Sequence, residues 1–137
     1  MTAPNPSQTR EIIDDYYHFL QQRDREGLLS ILSEDIRIIY HAHNSPLPWA
    51  GVYDGIAGFD AFFDVIKTHL DIVEVVIEDR IYTEQKAVMQ CQGTWRRKAQ
   101  DIEVKGAMVN VFTIENNRIK QYEVYADTAS FEAAMRA

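Results

Sequence analysis

Residues 87–126 read AVMQCQGTWRRKAQDIEVKGAMVNVFTIENNRIKQYEVYA, and the fold turns on how they are parsed. Apolar and polar residues alternate through three long runs, Ala87–Arg97, Ile102–Ile114 and Arg118–Ala126, rich in β-branched and aromatic side chains. A fourth run of this kind, Ile72–Tyr82, precedes them. The breaks between runs are short: Thr83–Lys86, Lys98–Asp101 and Asn116–Asn117. Asn-Asn favours the left-handed dihedrals that a tight hairpin needs. Long strands with short connections form an antiparallel meander.

Upstream the period becomes helical. Ser7 is placed to cap a first helix, in which Ile12, Ile13, Tyr16, Tyr17 and Leu20 share a face. Asp24 caps a short second helix carrying Leu28, Leu29 and Leu32. Ile36–His41 reads as a strand, and a loop of turn formers follows: Asn44, Ser45, Pro46, Pro48, Gly51 and Gly55. A third helix carries Phe59, Phe62, Phe63, Ile66 and Leu70 on one stripe, and a last short helix is expected over Thr128–Met135. Helices come early and strands late, which predicts α+β rather than alternating α/β. The expected shape is a cone-shaped roll. Three N-terminal helices pack on a strongly curved, mainly antiparallel sheet, and a short C-terminal helix closes the chain. A curved sheet and the helices it enfolds leave room for a cavity of the kind that takes small molecules.

The bulk numbers narrow the class. A chain of 137 residues with 46% apolar residues suits one domain with a sizeable core. The domain is expected over 7–137, with residues 1–6 a disordered tail. The net charge of −7 repels phosphate backbones and disfavours nucleic acid as a partner. The one basic run, Arg96-Arg97-Lys98, reads as a solvated strand end. The single cysteine, Cys91, excludes an internal disulfide and falls in an apolar run, where packing is the expected role. Met1–Ser7 lacks the apolar core of a signal peptide, and no apolar run approaches the roughly 20 residues of a membrane span. A cytoplasmic protein without membrane association is expected. The glycines match neither nucleotide-binding fingerprint, and there is no G-x-S-x-G elbow.

Three stretches carry a resemblance. They are Ser33-Glu34-Asp35-Ile36, then Trp49-x-Gly51-x-Tyr53-x-Gly55 ahead of the Phe-rich helix, and the closing Asn117-Arg118-Ile119 … Glu123-x-Tyr125-x-Asp127-Thr128. With the element order, they resemble the SnoaL-like branch of the nuclear transport factor two-like superfamily, over about Arg10 to Ala134. That superfamily holds ketosteroid isomerases, polyketide cyclases, dehydratases, epoxide hydrolases and proteins without catalysis, so shared fold does not confer shared activity. The resemblance implies a homodimer formed through the sheet, a small organic ligand and no cofactor.

Candidate site residues follow from both readings. Asp127 lies where the last strand gives way to the last helix. The resemblance implies a general acid and base there, as in SnoaL-like cyclases; the sequence equally makes it an N-cap for the helix from Thr128. Asn110 is the lone polar residue on a strand face with Gly106, Met108, Phe112 and Ile114. It is either a donor to a developing oxyanion, near where ketosteroid isomerases place a protonated aspartic acid, or an amide satisfied by a neighbour. His41 and His43 point to one face if the strand runs on. His41 is then a pocket acid, base or donor, or loop packing. Two histidines without a carboxylate motif make a weak metal signal, and no metal is expected. No aspartate stands near Tyr40 and His41, where ketosteroid isomerases carry their general base. Tyr16 matches, by the resemblance, an oxyanion tyrosine on the first helix; on the core stripe it shares with Tyr17 it equally reads as a buried tyrosine with a satisfied hydroxyl. Trp49 and Tyr53 are either apolar walls at the pocket mouth or pins for the loop. Met108 and Phe112, beside Asn110, are expected to contact substrate. Met89, Cys91 and Trp95 alternate with Gln90, Gln92 and Thr94, and alternation alone does not say which set faces inward. The function that follows is a cofactor-free isomerase, cyclase or dehydratase acting on a small, largely apolar carbonyl compound. The alternative is a non-catalytic binding or dimeric interaction module of the same fold.

Overall fold

A computed structural model describes residues 5–137. The first helix, α1 (Pro6–Gln22), starts earlier than the Ser7 cap predicts. Asn5 is the cap: its side chain accepts from the Gln8 backbone N–H at 3.0 Å, and the Gln8 side chain answers the Asn5 N–H at 3.3 Å. Of the tail expected over 1–6, residues 1–4 lie outside the described residues, whereas Asn5 and Pro6 belong to this helix start. Arg23, in the left-handed region at φ 53°, ends the helix. Asp24 caps α2 (Arg25–Ile31) through the Gly27 N–H, and α2 runs without a loop into β1 (Leu32–His41).

The turn-rich loop ends in a short strand that the sequence does not announce, β2 (Gly51–Asp54), pairing antiparallel with β1. Then come α3 (Gly55–His69), β3 (Leu70–Tyr82), β4 (Lys86–Arg97), β5 (Ile102–Glu115), β6 (Arg118–Ala126) and α4 (Thr128–Arg136). The expected meander is present. Its tightest turn is Asn116–Asn117, with both residues at positive φ, 53° and 59°. The six strands lie in the order β2-β1-β6-β5-β4-β3. All pairs are antiparallel except β1 with β6, where Tyr40 lies beside Val124 and His41 beside Tyr125. The fold is the α+β cone with a mostly antiparallel, curved and unclosed sheet.

Burial settles which face of each strand is inside. On β4, Ala87, Met89, Cys91 and Trp95 are buried while Gln90 and Gln92 are exposed, so the apolar set faces the helices. Gly93 makes room for this: a Cβ there would stand 2.1 Å from the Trp95 ring, which lies back over the glycine. On the same inner face are Ile36, Ile38 and Tyr40 of β1, Phe112 and Ile114 of β5, and Tyr122 and Val124 of β6. Helices α1 and α3 cover this face with Ile13, Tyr16, Phe59 and Phe62. Thr9, fully buried, ties α1 to the β3–β4 hairpin by donating its hydroxyl to the Glu84 carbonyl at 3.0 Å.

Candidate functional site

The core does not fill the cone. Between α1, α3 and the inner sheet face lies a cavity of about 540 Å³. Its walls are mostly aromatic and aliphatic: Tyr16 and Tyr17 from α1, Phe62 and Ile66 from α3, Trp95 from β4 and Met108 from β5, among others. Size and apolar lining are those of a small-molecule site. A depression of about 670 Å³ near the β5–β6 turn is lined instead by charged and polar groups. These partner one another: Lys120 holds Asp35, and Arg118 holds the Leu29 and Leu32 carbonyls. It offers no apolar wall.

Polar atoms in the cavity wall are few and underemployed. Asn110 on β5 is 3% exposed and bonds the Tyr17 hydroxyl through Nδ2 at 3.2 Å, while its Oδ1 is buried without a partner. The hydroxyls of Tyr16 and Tyr40, both in the wall, are also buried without partners. Leaving such an atom unpaired costs about 1–3 kcal/mol. Burial pushes the Tyr16 and Tyr122 hydroxyls well above their usual value, helped by the neighbouring tyrosines. Burial likewise raises Tyr17, against the opposing hydrogen bond from Asn110, and Tyr40. All four therefore keep their protons at neutral pH and serve as hydrogen-bond donors, not bases. Among the described residues the charged members of the lining are Glu74 and Arg80, both exposed on β3, and Glu74 stands opposite Thr94 on the outward-facing set of β4.

The structure brings four of the expected residues to this cavity: Asn110, Tyr16, Trp49 and Met108. It moves four others away. Asp127 is exposed and caps α4. Its carboxylate accepts from the Ser130 backbone at 3.2 Å and from the Ser130 hydroxyl at 2.7 Å, and these two bonds hold its pKa below the usual range. That is the opposite of a base tuned upward by burial, so the pocket acid–base role is corrected to a helix cap. His41 is on the outer sheet face. Its Nε2 lies 3.0 Å from Glu123 Oε1 and its ring stacks on Tyr125, because β1 turns Tyr40 inward and hence His41 outward. Tyr53 donates its hydroxyl to the Trp49 carbonyl at 2.9 Å and pins the loop, outside the cavity lining. Phe112 is fully buried among Tyr16, Tyr17 and Tyr122 and belongs to the core, not the wall.

Sequence reasoning missed Tyr17, Tyr40, Tyr122 and Arg80 as wall residues. The inward tyrosines of β1 and β6 were legible from alternation once the inner face was known. Arg80 was not, because its inward turn depends on how β3 pairs with β4. Among the described residues no three His, Cys, Asp or Glu side chains gather as a metal-binding group, and no helix is long and apolar enough to cross a membrane.

Against known proteins, the model of the SnoaL-like domain family matches residues 13–122. The chain belongs to the SnoaL-like domain family. No curated protein matches it in sequence. Solved structures do match in shape. A nuclear transport factor two-like protein of Burkholderia xenovorans LB400 superposes with a TM-score of 0.83 at 19% identity, covering 97% of this chain and 98% of that one. TerC, co-crystallised with polyporic acid, gives 0.82 at 19% identity over 95% and 99%. A candidate SnoaL-like polyketide cyclase of Jannaschia sp. CCS1 gives 0.77 at 16% identity over 100% and 97%. At these identities the likeness establishes the fold, and a SnoaL-like fold is shared by small-molecule isomerases and cyclases.

Proposed function

We propose that this SnoaL-like chain binds a small, largely apolar, ring-containing carbonyl compound and polarises its oxygen, as a cofactor-free isomerase or cyclase does. The observation that carries the reading is the pairing of an apolar cavity of about 540 Å³ with the unpartnered hydroxyls of two of its lining residues, Tyr16 and Tyr40. A carbonyl oxygen is an acceptor, and protonated tyrosine hydroxyls are donors. As negative charge develops on that oxygen in an enolate, each donor bond strengthens. The Asn110–Tyr17 pair fits this task. With Nδ2 donating to the Tyr17 oxygen, the tyrosine keeps its own O–H for a ligand. That TerC holds polyporic acid is in keeping with an organic ring compound in this fold.

A second reading is a binder without turnover. It is favoured by the lining itself, which among the described residues holds no histidine and, as its only acidic residue, Glu74 on the exposed strand. One experiment separates the two. The protein is mixed with 2-tetralone in D₂O, and α-proton exchange and line broadening are followed by NMR. The enzyme reading expects exchange faster than in buffer, slowed in Asn110→Leu. Broadening without faster exchange favours the binder. Neither effect, here and with other cyclic ketones, sinks both.

We further propose that two copies pair through the outer sheet face. Ile39, Val109 and Val111 on that face are partly exposed beside the His41–Tyr125 stack, a surface a second copy would cover. Light scattering reading a single-chain mass at micromolar concentration would refute it.

A further inference from the structure

Arg80 should not face the cavity by simple alternation. Ile77 lies inward beside Cys91, so the pleat would turn residue 80 outward. A β-bulge intervenes. Ile77 pairs with Cys91 and Asp79 with Gln90, leaving Glu78 without a partner. The extra residue reverses the faces from there on. Asp79 goes outward with Gln90, and Arg80 comes inward opposite the fully buried Met89. Met89 in turn pairs with Asn110. Arg80, Met89 and Asn110 thus form one cross-strand row on the inner face. Two strand spacings, about 10 Å, separate the backbones of its outer members.

Among the described residues the guanidinium so delivered has no protein partner. Arg10, Arg25, Arg37 and Arg96 each hold a carboxylate, and Arg97 and Arg118 hold backbone carbonyls. Arg23 and Arg136 also lack a side-chain partner among these residues, but neither borders the cavity. Among the described residues Arg80 makes a hydrogen bond only through its backbone N–H, to Asp79 Oδ1 at 2.9 Å. The carboxylates around it are otherwise placed. Asp79 is on the outer face, Glu78 is the exposed bulge residue and forms no ion pair with Arg80, Asp14 of α1 is paired with Arg10, and Glu74 is six residues back along β3, about 20 Å away. The Arg80 charge reaches Tyr17 and Tyr82, favouring their ionised forms against the larger effect of burial. Its field therefore acts where a ligand would meet the Asn110–Tyr17 pair.

We infer that Arg80 is an anion anchor, and that the cavity takes ring compounds carrying a carboxylate, bound to Arg80 at the mouth while Asn110 and Tyr17 meet the carbonyl or ring end. This rests on the cavity reading above and adds the charge of the ligand. The row sets the span for one small molecule: with a carboxylate on the Arg80 fork, the ring lies within the cavity and its far side reaches Asn110 and Tyr17. The fork geometry of guanidinium suits a carboxylate in particular.

The test uses 2-naphthoate and its uncharged isostere 2-naphthamide, titrated calorimetrically into wild type, Arg80→Gln and Arg80→Lys. Wild type is expected to bind the acid about tenfold more tightly than the amide, the size of a charge-assisted bond at an open mouth. Arg80→Gln should level the two, weakening the acid by far more than the amide, and Arg80→Lys should keep part of the preference. Arg80 is exposed, so the variants should melt with wild type. Equal binding of both probes to wild type overturns the anchor and leaves the cavity reading standing. So does a preference that survives in Arg80→Gln. Failure of both probes to bind overturns the two readings together.

Discussion

Strand β6 carries polar side chains on both faces, and the two faces treat them in opposite ways. On the outer face Glu123 accepts from His41 at 3.0 Å, and the His41 ring stacks on Tyr125 with centroids 4.2 Å apart. Donor, acceptor and stacking partner come from neighbouring strands, and water reaches the rest. On the inner face Tyr122 packs against Tyr16 and Phe112, and close by the Tyr16 and Tyr40 hydroxyls and Asn110 Oδ1 have no partner. One face is satisfied by the chain alone and the other is not. Residual unsatisfied atoms collect where a fold serves something other than its own stability. The inner face is thus where the proposed ligand would find free polar groups, whereas the polar groups of the outer face are already paired and only its apolar side chains are left for a second copy.

The largest effect expected from this contrast lies within the inner face itself. Phe112 is fully buried with rings on several sides, whereas Met108, two residues along the same strand, borders the cavity. Phe112→Ala should lower stability by about 3–5 kcal/mol, because it opens a void in close-packed surroundings. Met108→Ala should fall below the usual range of about 2–5 kcal/mol for such a truncation, since part of its surface already meets empty space. Urea unfolding of both variants checks this. Equal losses would mean that the cavity closes in solution.

Next comes Asn110→Leu. The substitution keeps the approximate volume and removes the half-satisfied amide. Stability should change by less than about 1 kcal/mol, since the lost bond to Tyr17 is offset by relief of the orphaned oxygen. Affinity for a cyclic ketone should drop about tenfold. A large fall in stability with affinity intact would make Asn110 a structural residue and move the site elsewhere.

How much of this was legible in the sequence differs by element. The meander was readable because β5 and β6 alternate cleanly and Asn116–Asn117 has one favoured turn geometry. Asn110 stood out because a lone polar residue on an apolar face is visible in one dimension. Arg80 did not, because the bulge at Glu78 is a property of pairing between two strands, and a period-two count through β3 assigns it to the wrong face. Strand β2 was hidden among turn formers: it is four residues long and exists by pairing with β1. Asp127 and His41 were placed from family likeness and chain position, neither of which says where a side chain points. For Asp127 the capping pattern carried the better information, since the Ser130 N–H lies three residues on.

That cap supplies a smaller prediction. Asp127→Ala should cost about 1 kcal/mol through loss of the α4 N-cap, and Asp127→Asn much less, because asparagine caps nearly as well. Neither should alter ligand affinity or proton exchange. A collapse of exchange in Asp127→Asn with unchanged stability would restore the catalytic reading of this residue and undo the contrast between junction and cavity.

The smallest effect tests the outer face. Burial alone would raise the Glu123 carboxyl, but the hydrogen bonds from His41 and Gln121 and the charges of His41 and Lys86 outweigh it, leaving the group below its usual value. A carboxylate depressed in the folded state adds stability above its unfolded pKa of about 4.3, and that contribution is lost as pH falls through the folded value. Glu123→Gln should therefore be less stable than wild type at pH 6, and the gap should close as the pH is lowered below about 4.3. With the His41 side chain 36% exposed and that of Glu123 13% exposed, screening keeps the gap to a few tenths of a kcal/mol. His41→Ala should flatten the same acid slope, since it removes the strongest interaction holding the carboxyl down. If urea midpoints of wild type and Glu123→Gln stay parallel from pH 6 to pH 3.5, the pair contributes nothing. The outer face would then be satisfied by water, and the difference between the two faces would reduce to solvent access.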